Sequence, residues 1–292
     1  MRKAVRQVPQ PVVVGVDGSE CSLTAVDWAA DEATRHERPL RLVYAWFFEQ
    51  YEILASAAEA VGPEGETAAE AVLADARERA VRRRPGLEVS VHATTGPPVP
   101  ALVAEGADAS MLVVGSRGRG PLTSLFLGSV GLGVAGRAPC PAVVVRGEPR
   151  ALAGGFGRVV LGVGGAEHES AAAEFAVREA AARRSARSCP LEAVLAWRRA
   201  PQDAGHPDGQ ARAETVLAGA LADPLAAHPE VRVRHRARQG PPRQVLLQAA
   251  QAADVLVVGA HRRTGRPGLG LGLVGHALVH HAACPVAVVP GG

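Results

Sequence analysis

Three glycines and a serine are spaced in a way that could bind a phosphate group. They follow an apolar run in the spacing G-x2-G-x9-G-S, at Gly115, Gly118, Gly128 and Ser129. Gly115 lets the chain leave a strand in a tight turn, and Gly118 lets the backbone come close to a ligand. Gly128 and Ser129 open a predicted helix, whose free N–H groups and dipole favour an anion. In a chain with 33 glycines, a loop without a ligand is the competing interpretation.

A carboxylate ends the first apolar run of the chain. Asp17 lies in the sequence VGVDGS, directly after that run. At the end of a parallel strand it would share an edge of the sheet with the glycines, where it could accept ribose hydroxyls or lie near a metal ion. The competing interpretation is an Asp-Gly turn, which is common. Two such elements on neighbouring central strands favour a binding site.

The basic residues limit the chemistry that is possible at this edge. Lys3 is the only lysine, so arginine carries nearly all the positive charge. A Walker-type phosphate loop needs a lysine directly after its last glycine and is excluded, and Schiff-base chemistry is excluded for every residue except Lys3. No general base is spaced for attack on a phosphate, so any turnover should be slow. We therefore predict neither catalytic residues nor metal ligands.

The elements that carry these residues are present twice. A shift of 144 positions aligns residues 115–145 with 259–289, and twelve of these 31 positions are identical. A shift of 147 aligns the first apolar run, VVVGVDGSE, with VVLGVGGAE. Two copies of one domain therefore fill the chain. We predict domains at 1–150 and 151–292, joined by a Gly/Pro/Ala-rich linker at 147–157.

Each copy is predicted to alternate strands with helices. The strands of the first copy are expected at 12–16, 40–46, 87–93, 111–115 and 142–146. Helices are expected after a cap at Ser19, at about 66–83, from about 99 and from 128. Five strands and four helices in alternation predict an open, doubly wound α/β sheet, whose ligands bind outside the carboxyl ends of the central strands.

These residues carry a resemblance to a known family. The VGVDGS sequence, the G-x2-G-x9-GS motif and a closing Cys-Pro-apolar strand resemble the universal stress protein family. The resemblance covers almost the whole chain, as a tandem pair of such domains. It implies two open parallel sheets with strand order 3-2-1-4-5 and helices on both faces.

The resemblance also implies a ligand, because one branch of that family binds ATP. There the glycine motif surrounds the triphosphate, and the aspartate after the first strand lies beside the ribose. By position, the implied site residues are Asp17, Gly115, Gly118, Gly128, Ser129 and Val130. Ala45, at the end of the second strand, matches the position whose backbone meets the adenine. The implied cofactor is ATP, with or without Mg²⁺.

The second copy departs from this pattern. Gly164 replaces Asp17, Ala166 replaces Ser19, Arg262 replaces Gly118 and Leu273 replaces Ser129. These changes remove a carboxylate, a glycine and a hydroxyl, although Arg262 or Arg263 could still pair with a phosphate. We expect the first copy to bind nucleotide and the second to be degenerate or to bind differently.

Other patterns in the sequence are weaker evidence for a dinucleotide, metal or nucleic-acid site. Two G-x-G-x2-G matches lie inside the helices that begin at Gly128 and Gly272, so the strand that a dinucleotide motif requires is absent. The histidines 276, 280 and 281 are expected to line the last helix rather than bind a metal ion. The arginines at 77, 79 and 82–84 end a predicted helix, where they should meet solvent, and aromatic residues make up only 3% of the chain. We therefore expect no nucleic-acid partner.

The sequence thus predicts a cytoplasmic, ATP-binding stress-response regulator without a membrane partner. Nucleotide is expected to tune assembly or the binding of a regulatory protein. Two other interpretations remain open: a slow Mg²⁺-dependent nucleotide hydrolase that uses Asp17, and an interaction protein that needs no nucleotide. The family pairs domains through the final strand, so the chain is expected to form a homodimer or a pseudo-dimer of its own two copies.

Overall fold

Ten strands of the chain form a single sheet. The computed structural model describes residues 9–46, 63–116, 128–164, 170–183, 190–198, 208–260 and 271–291. The strands of the first copy are β1 (Val12–Gly15), β2 (Leu40–Trp46), β3 (Val89–Thr95), β4 (Met111–Gly115) and β5 (Ala142–Val145). Those of the second copy are β6 (Val159–Val163), β7 (Leu191–Trp197), β8 (Val233–Gln239), β9 (Val255–Gly259) and β10 (Val286–Val289).

Helices alternate with these strands in both copies. Those of the first copy are α1 (Glu20–Arg35), α2 (Pro63–Arg83), α3 (Pro98–Glu105) and α4 (Ser129–Arg137). A short helix, α5 (Pro149–Leu152), follows β5. The second copy has α6 (Ser170–Arg183), α7 (Asp208–Ala227), α8 (Pro242–Ala250) and α9 (Leu273–His281). None of the described helices is long and apolar enough to span a bilayer.

The strand order confirms the predicted fold. Across the sheet the order is β3-β2-β1-β4-β5-β10-β9-β6-β7-β8, so each half has the order 3-2-1-4-5. Pairing is parallel within each half. The halves meet where β5 and β10 pair antiparallel, with Val143 opposite Ala287. The two copies therefore form a pseudo-dimer within the chain, and a homodimer of whole chains would need a different surface.

Apolar side chains on both faces of the sheet make two cores. Val12 and Val14 of β1 belong to a core beneath α1, α2, α6 and α7. Val13, which points to the other face, belongs to a second core beneath α3, α4, α8 and α9. All three valines are fully buried. A strand covered on both faces needs a continuous apolar run, which explains why these strands lack the alternation of a half-exposed strand.

Two local features differ from the expectations. The third strand begins at Val89 instead of residue 87, because the Leu87 N–H bonds to the Arg84 carbonyl at 3.1 Å and closes a turn after α2. The segment 147–157, predicted as a linker, holds α5, and the Arg150 guanidinium lies 4.4 Å above the Phe156 ring. The predicted boundary between the domains falls inside this helix.

The arginines at the end of α2 bind α1 instead of only meeting solvent. Arg79 donates through Nε and Nη2 to the two carboxylate oxygens of Asp27, at 2.9 and 2.6 Å. Arg83 makes the same fork to Asp31, at 2.9 and 2.8 Å. The two arginines are four residues apart on α2, and the two aspartates are four residues apart on α1. The two ion pairs therefore lie one helical turn apart between α1 and α2.

An arginine after β5 joins the first copy to the second, in addition to the paired strands. Arg146, directly after β5, donates through Nη1 to the Val279 carbonyl at 2.5 Å and through Nε to the Ala282 carbonyl at 2.8 Å. Both acceptors lie at the end of α9, where helix carbonyls lack intrahelical partners. Positive charge is also favourable at that end of a helix.

Replacing Arg146 with alanine should therefore destabilise the folded chain. We expect the free energy of unfolding to fall by about 1–3 kcal/mol, because two carbonyls at the end of α9 lose a charged donor. Exposed Arg137 provides the control, and Arg137→Ala should change stability by less than about 0.5 kcal/mol. Urea denaturation measures both, and equal effects of the two substitutions would contradict this role of Arg146.

Candidate functional site

The predicted binding residues gather at one edge of the sheet. In the order 3-2-1-4-5 the winding reverses between β1 and β4, and sheets of this kind bind ligands in the crevice outside the carboxyl ends of the strands at that point. Six of the seven predicted residues are described: Asp17 after β1, Ala45 in β2, Gly115 at the end of β4, and Gly128, Ser129 and Val130 at the beginning of α4. Gly118 lies outside the described residues.

Asp17 begins the turn that leads into α1. Its Oδ1 accepts hydrogen bonds from the Ser19 backbone N–H at 3.0 Å and from the Ser19 hydroxyl at 2.6 Å. The Ser19 hydroxyl accepts from the Ser22 N–H at 3.2 Å, which confirms the predicted helix cap. Gly18 has a φ of 77°, in the left-handed region that favours glycine. The Asp-Gly turn is therefore real, and it holds a half-buried carboxylate at the edge of the sheet.

Gly115 is required by close packing between β4 and α1. A Cβ at this position would lie 2.7 Å from the Cys21 carbonyl oxygen and 3.0 Å from the Ser22 nitrogen. Both are backbone atoms, so they cannot move aside as a side chain could. The glycine thus lets the end of β4 approach the first turn of α1, and it keeps both elements at the same edge.

The beginning of α4 has the features of an anion site. The Gly128 N–H donates to the Ser116 carbonyl at 2.9 Å, so this end of the helix is tied to the end of β4. Gly128 is the N-cap, and within the described part of the chain no side chain caps this helix. Exposed Ser129 is its first residue, followed by half-buried Val130. First-turn N–H groups that no side chain caps, together with the helix dipole, favour a negative ligand.

Ala45 lies at the same edge, one strand further out. It is half-buried and pairs in register with Thr94 of β3. The Val16 N–H still bonds to the Val43 carbonyl at 2.9 Å, after which β1 and β2 stop pairing. Ala45 therefore projects beyond the end of β1 beside the crevice. The role of Ala45 beside an adenine ring stays a prediction.

Two serines of this edge were missed in the sequence. The Ser22 hydroxyl accepts from the Asp17 N–H at 3.4 Å and donates to the Ser19 carbonyl at 2.9 Å, which closes the turn around the carboxylate. Ser116 supplies the carbonyl that anchors Gly128. The location of Ser22, three residues after the cap, is a signal that the sequence contains. Ser116 acts through its backbone carbonyl, which no sequence pattern reveals.

The second copy has a different surface at the matching edge. Gly164, in the position of Asp17, is exposed, and Leu273 begins α9 with 92% of its surface exposed. Among the described residues there is room around Gly259, since the nearest of their atoms to an added Cβ is the Ala172 Cβ at 4.0 Å. The close packing seen at Gly115 is therefore lost. Ala166, Arg262 and Arg263 lie outside the described residues.

Burial changes the pKa values of two cysteines and one histidine of the chain. Burial raises the pKa of the Cys140 thiol to about 11 and that of Cys284 to about 12, so both stay protonated and unreactive. His276 and His280 line α9 as predicted, with ring centroids 4.4 Å apart. Burial lowers the pKa of His280, and the neighbouring His276, His281 and Arg146 lower it further.

Known proteins resemble the chain along its whole length. A sequence model of the Universal stress protein family matches residues 9–146 and 155–290. Universal stress protein Rv1996 of Mycobacterium tuberculosis is 30% identical over 313 residues, which cover 98% of this chain and 96% of the relative. A universal stress protein of Mycolicibacterium smegmatis is 32% identical over 296 residues, covering 95% and 96%.

A solved structure that covers almost the whole chain has the same fold. A universal stress protein from Archaeoglobus fulgidus has a TM-score of 0.72 at 17% identity, covering 96% of this chain and 98% of that chain. A universal stress protein in complex with cAMP is 33% identical and covers 48% of this chain and 99% of that chain, with a TM-score of 0.38.

The packing around the two strand-end glycines predicts unequal effects of alanine. Gly115→Ala should lower the free energy of unfolding by about 1–3 kcal/mol, because its methyl group meets backbone atoms of α1. The matched substitution Gly259→Ala has room and should cost less than about 0.5 kcal/mol. Chemical denaturation compares the two variants. If Gly115→Ala is tolerated as well as Gly259→Ala, the close approach of β4 to α1 is wrong.

Proposed function

Because the chain belongs to the universal stress protein family, we propose that its first copy binds ATP, with or without Mg²⁺, and that its second copy does not. Nucleotide occupancy then regulates a stress response, by changing assembly or the binding of a regulatory protein in the cytoplasm. The domain boundary near residue 150 belongs to the same proposal, since it separates a binding copy from a degenerate one.

One observation carries this proposal. The N-terminus of α4 is tied through Gly128 to Ser116 at the end of β4, and the Asp17 carboxylate follows the neighbouring strand β1. A helix N-terminus suited to an anion and a carboxylate suited to ribose hydroxyls therefore lie at the same edge, at the switch point where α/β sheets bind ligands. Because backbone N–H groups and a hydroxyl can bind phosphate without an ammonium group, the absence of a second lysine is no obstacle.

The contacts of Asp17 favour binding over hydrolysis. Its Oδ1 already accepts two hydrogen bonds from Ser19. These two bonds hold the carboxylate against the helix cap. A general base would instead need to accept a proton from an attacking water. We therefore propose tight retention of ATP with negligible turnover, and a phosphate-release assay should detect no catalysis that depends on Asp17.

Differences between the copies support a single site per chain. The second copy has an exposed glycine in place of Asp17 and an exposed leucine in place of Ser129. Neither can donate to a phosphate or accept from a ribose through its side chain. Among the residues that replace the motif in the second copy, Arg262 is the one whose side chain can pair with a phosphate.

Substitution of Asp17 should weaken nucleotide binding without disturbing the turn. In Asp17→Asn an amide oxygen can still accept from Ser19, but the charge that strengthens a ribose contact is lost. We expect the Kd for ATP to rise about tenfold or more, which corresponds to about 1.4 kcal/mol. Isothermal titration calorimetry with ATP, ADP, AMP and cAMP measures this change and the nucleotide preference. An unchanged Kd would remove Asp17 from the site.

Converting one copy toward the other tests which copy binds. Gly118→Arg gives the first copy the residue of the second and should abolish binding, because the glycine motif that surrounds the triphosphate in the ATP-binding branch of the family then loses its second glycine. Leu273→Ser changes the second copy at an exposed position and should leave the stoichiometry at about one nucleotide per chain. Unchanged loading of the Gly118→Arg variant would refute the assignment of the first copy.

A further inference from the structure

Three buried charged side chains and a histidine that is 17% exposed meet where α1 of the first copy lies against α6 of the second. Glu32 and His36 lie four residues apart on α1, and Glu179 and Arg183 have the same spacing on α6. The shift of 147 positions that aligns the copies pairs Glu32 with Glu179 and His36 with Arg183. The exposed fractions are 1% for Glu32, 2% for Glu179 and 7% for Arg183. We refer to these four residues as the crossing cluster.

Arg183 binds both carboxylates of the crossing cluster. Its Nη1 donates to Glu179 Oε2, and its Nη2 donates to Glu32 Oε1. The other oxygen of each carboxylate lies beside His36. The His36 Nε2 is 2.8 Å from Glu179 Oε1 and 3.7 Å from Glu32 Oε2. Within the described part of the chain, Glu32 Oε2 is buried without a hydrogen-bond partner.

Other charged groups around the crossing cluster already have partners. On α1, the Arg35 Nη1 lies 2.6 Å from Glu32 Oε1. Asp31, on the same turn, is paired with Arg83 and Arg84. Asp254 lines the cavity beside Glu32 and Arg183, and its oxygens accept from two backbone N–H groups, of residues 156 and 158. The net charge of the crossing cluster therefore depends on whether His36 is protonated.

The charge balance favours a proton over a metal ion. Among the described residues, Glu32, His36 and Glu179 form the one group of three possible metal ligands, with ligand atoms within 4.8 Å of one another. Arg183 and Arg35 already neutralise the two carboxylates. A divalent cation would therefore bring two uncompensated charges into a buried site, whereas a proton brings one, at the end of α1 where the helix dipole favours it.

The local environment keeps a proton on His36. Burial lowers the pKa of His36, but the hydrogen bond to Glu179 and the charges of Glu179 and Glu32 outweigh it, so that the pKa is raised above 6.5. Although burial opposes ionisation, Arg183 and His36 lower the pKa of Glu179 to about 2. Burial raises the pKa of Glu32, which also favours a proton-bound cluster.

We propose that a proton on His36 clamps the two copies together, so that their pairing weakens as the pH rises. The folded chain holds this proton more tightly than the unfolded chain. Its contribution to stability is therefore complete below pH 6.5 and is lost as the pH rises through the folded-state pKa. The clamp joins α1 to α6 and thus acts across the boundary between the copies, in addition to the pairing of β5 with β10.

Two substitutions of His36 separate the proton from the shape of the side chain. His36→Arg introduces the residue that the second copy has at the matching position, and it carries a permanent charge. His36→Gln keeps a donor but cannot be charged. In the original chain, Tm should fall between pH 6 and pH 8.5 by a few degrees more than in either variant, since a loss of about 1 kcal/mol of stability lowers Tm by about 2–4 °C in a large domain. Equal pH slopes in all three proteins would overturn the proposal.

A local readout distinguishes the clamp from a general change in stability. Hydrogen exchange in peptides that cover β5 and β10 should increase with pH in the original chain beyond the intrinsic chemical rate. The increase should be absent in His36→Arg. His280→Gln is the control, because the lowered pKa of His280 changes stability at acid pH and in the opposite direction. A β5–β10 exchange profile with no extra pH dependence would contradict a clamp between the copies.

Titration of the histidine itself tests the proposal in the original chain. In an NMR titration of the original chain, the His36 ring resonance should have its midpoint above pH 6.5. A midpoint at or below this value would show that the folded chain holds this proton no more tightly than the unfolded chain, which would overturn the clamp. The variant His36→Arg, which lacks this resonance, assigns it.

Discussion

The antiparallel hydrogen bonds between β5 and β10 determine how the chain is organised. They join two parallel sheets of five strands into one sheet of ten and leave β3 and β8 as its edges. In a separate domain the fifth strand would be an edge with unpaired backbone groups, and here each copy covers that edge of the other. The same pairing brings α1 against α6, and Arg146 against the end of α9.

Much of this arrangement could be predicted from the sequence because it repeats. Aligning Gly115 with Gly259 and Cys140 with Cys284 showed two copies, and uninterrupted apolar runs indicated parallel strands that are covered on both faces. The Ser19 cap was also predictable, since a serine before an apolar helix is a local signal. The topology also predicted which residues lie at the carboxyl edge of the sheet. Asp17, Ala45 and Gly115 lie there because each is at or near the end of a parallel strand.

The remaining features depend on contacts between distant elements. The spacing of Glu32 and His36 resembles an ordinary surface pair on one helix, and it becomes a buried cluster only because a second helix crosses it. Arg79 and Arg83 were expected to meet solvent, but they bind α1 because their spacing matches that of Asp27 and Asp31. The packing that excludes a side chain at Gly115 comes from the backbone of α1, which no motif encodes. One rigid helix, α1, begins beside Asp17 and ends at the crossing cluster, about 24 Å away.

The central claim is that two copies of one domain have diverged, so that the chain holds one adenine nucleotide. Native mass spectrometry of the intact chain, purified without added nucleotide and then titrated with ATP, counts bound nucleotides directly. The account predicts that occupancy saturates at one ATP per chain. Saturation at two per chain, or no binding at all, would contradict it.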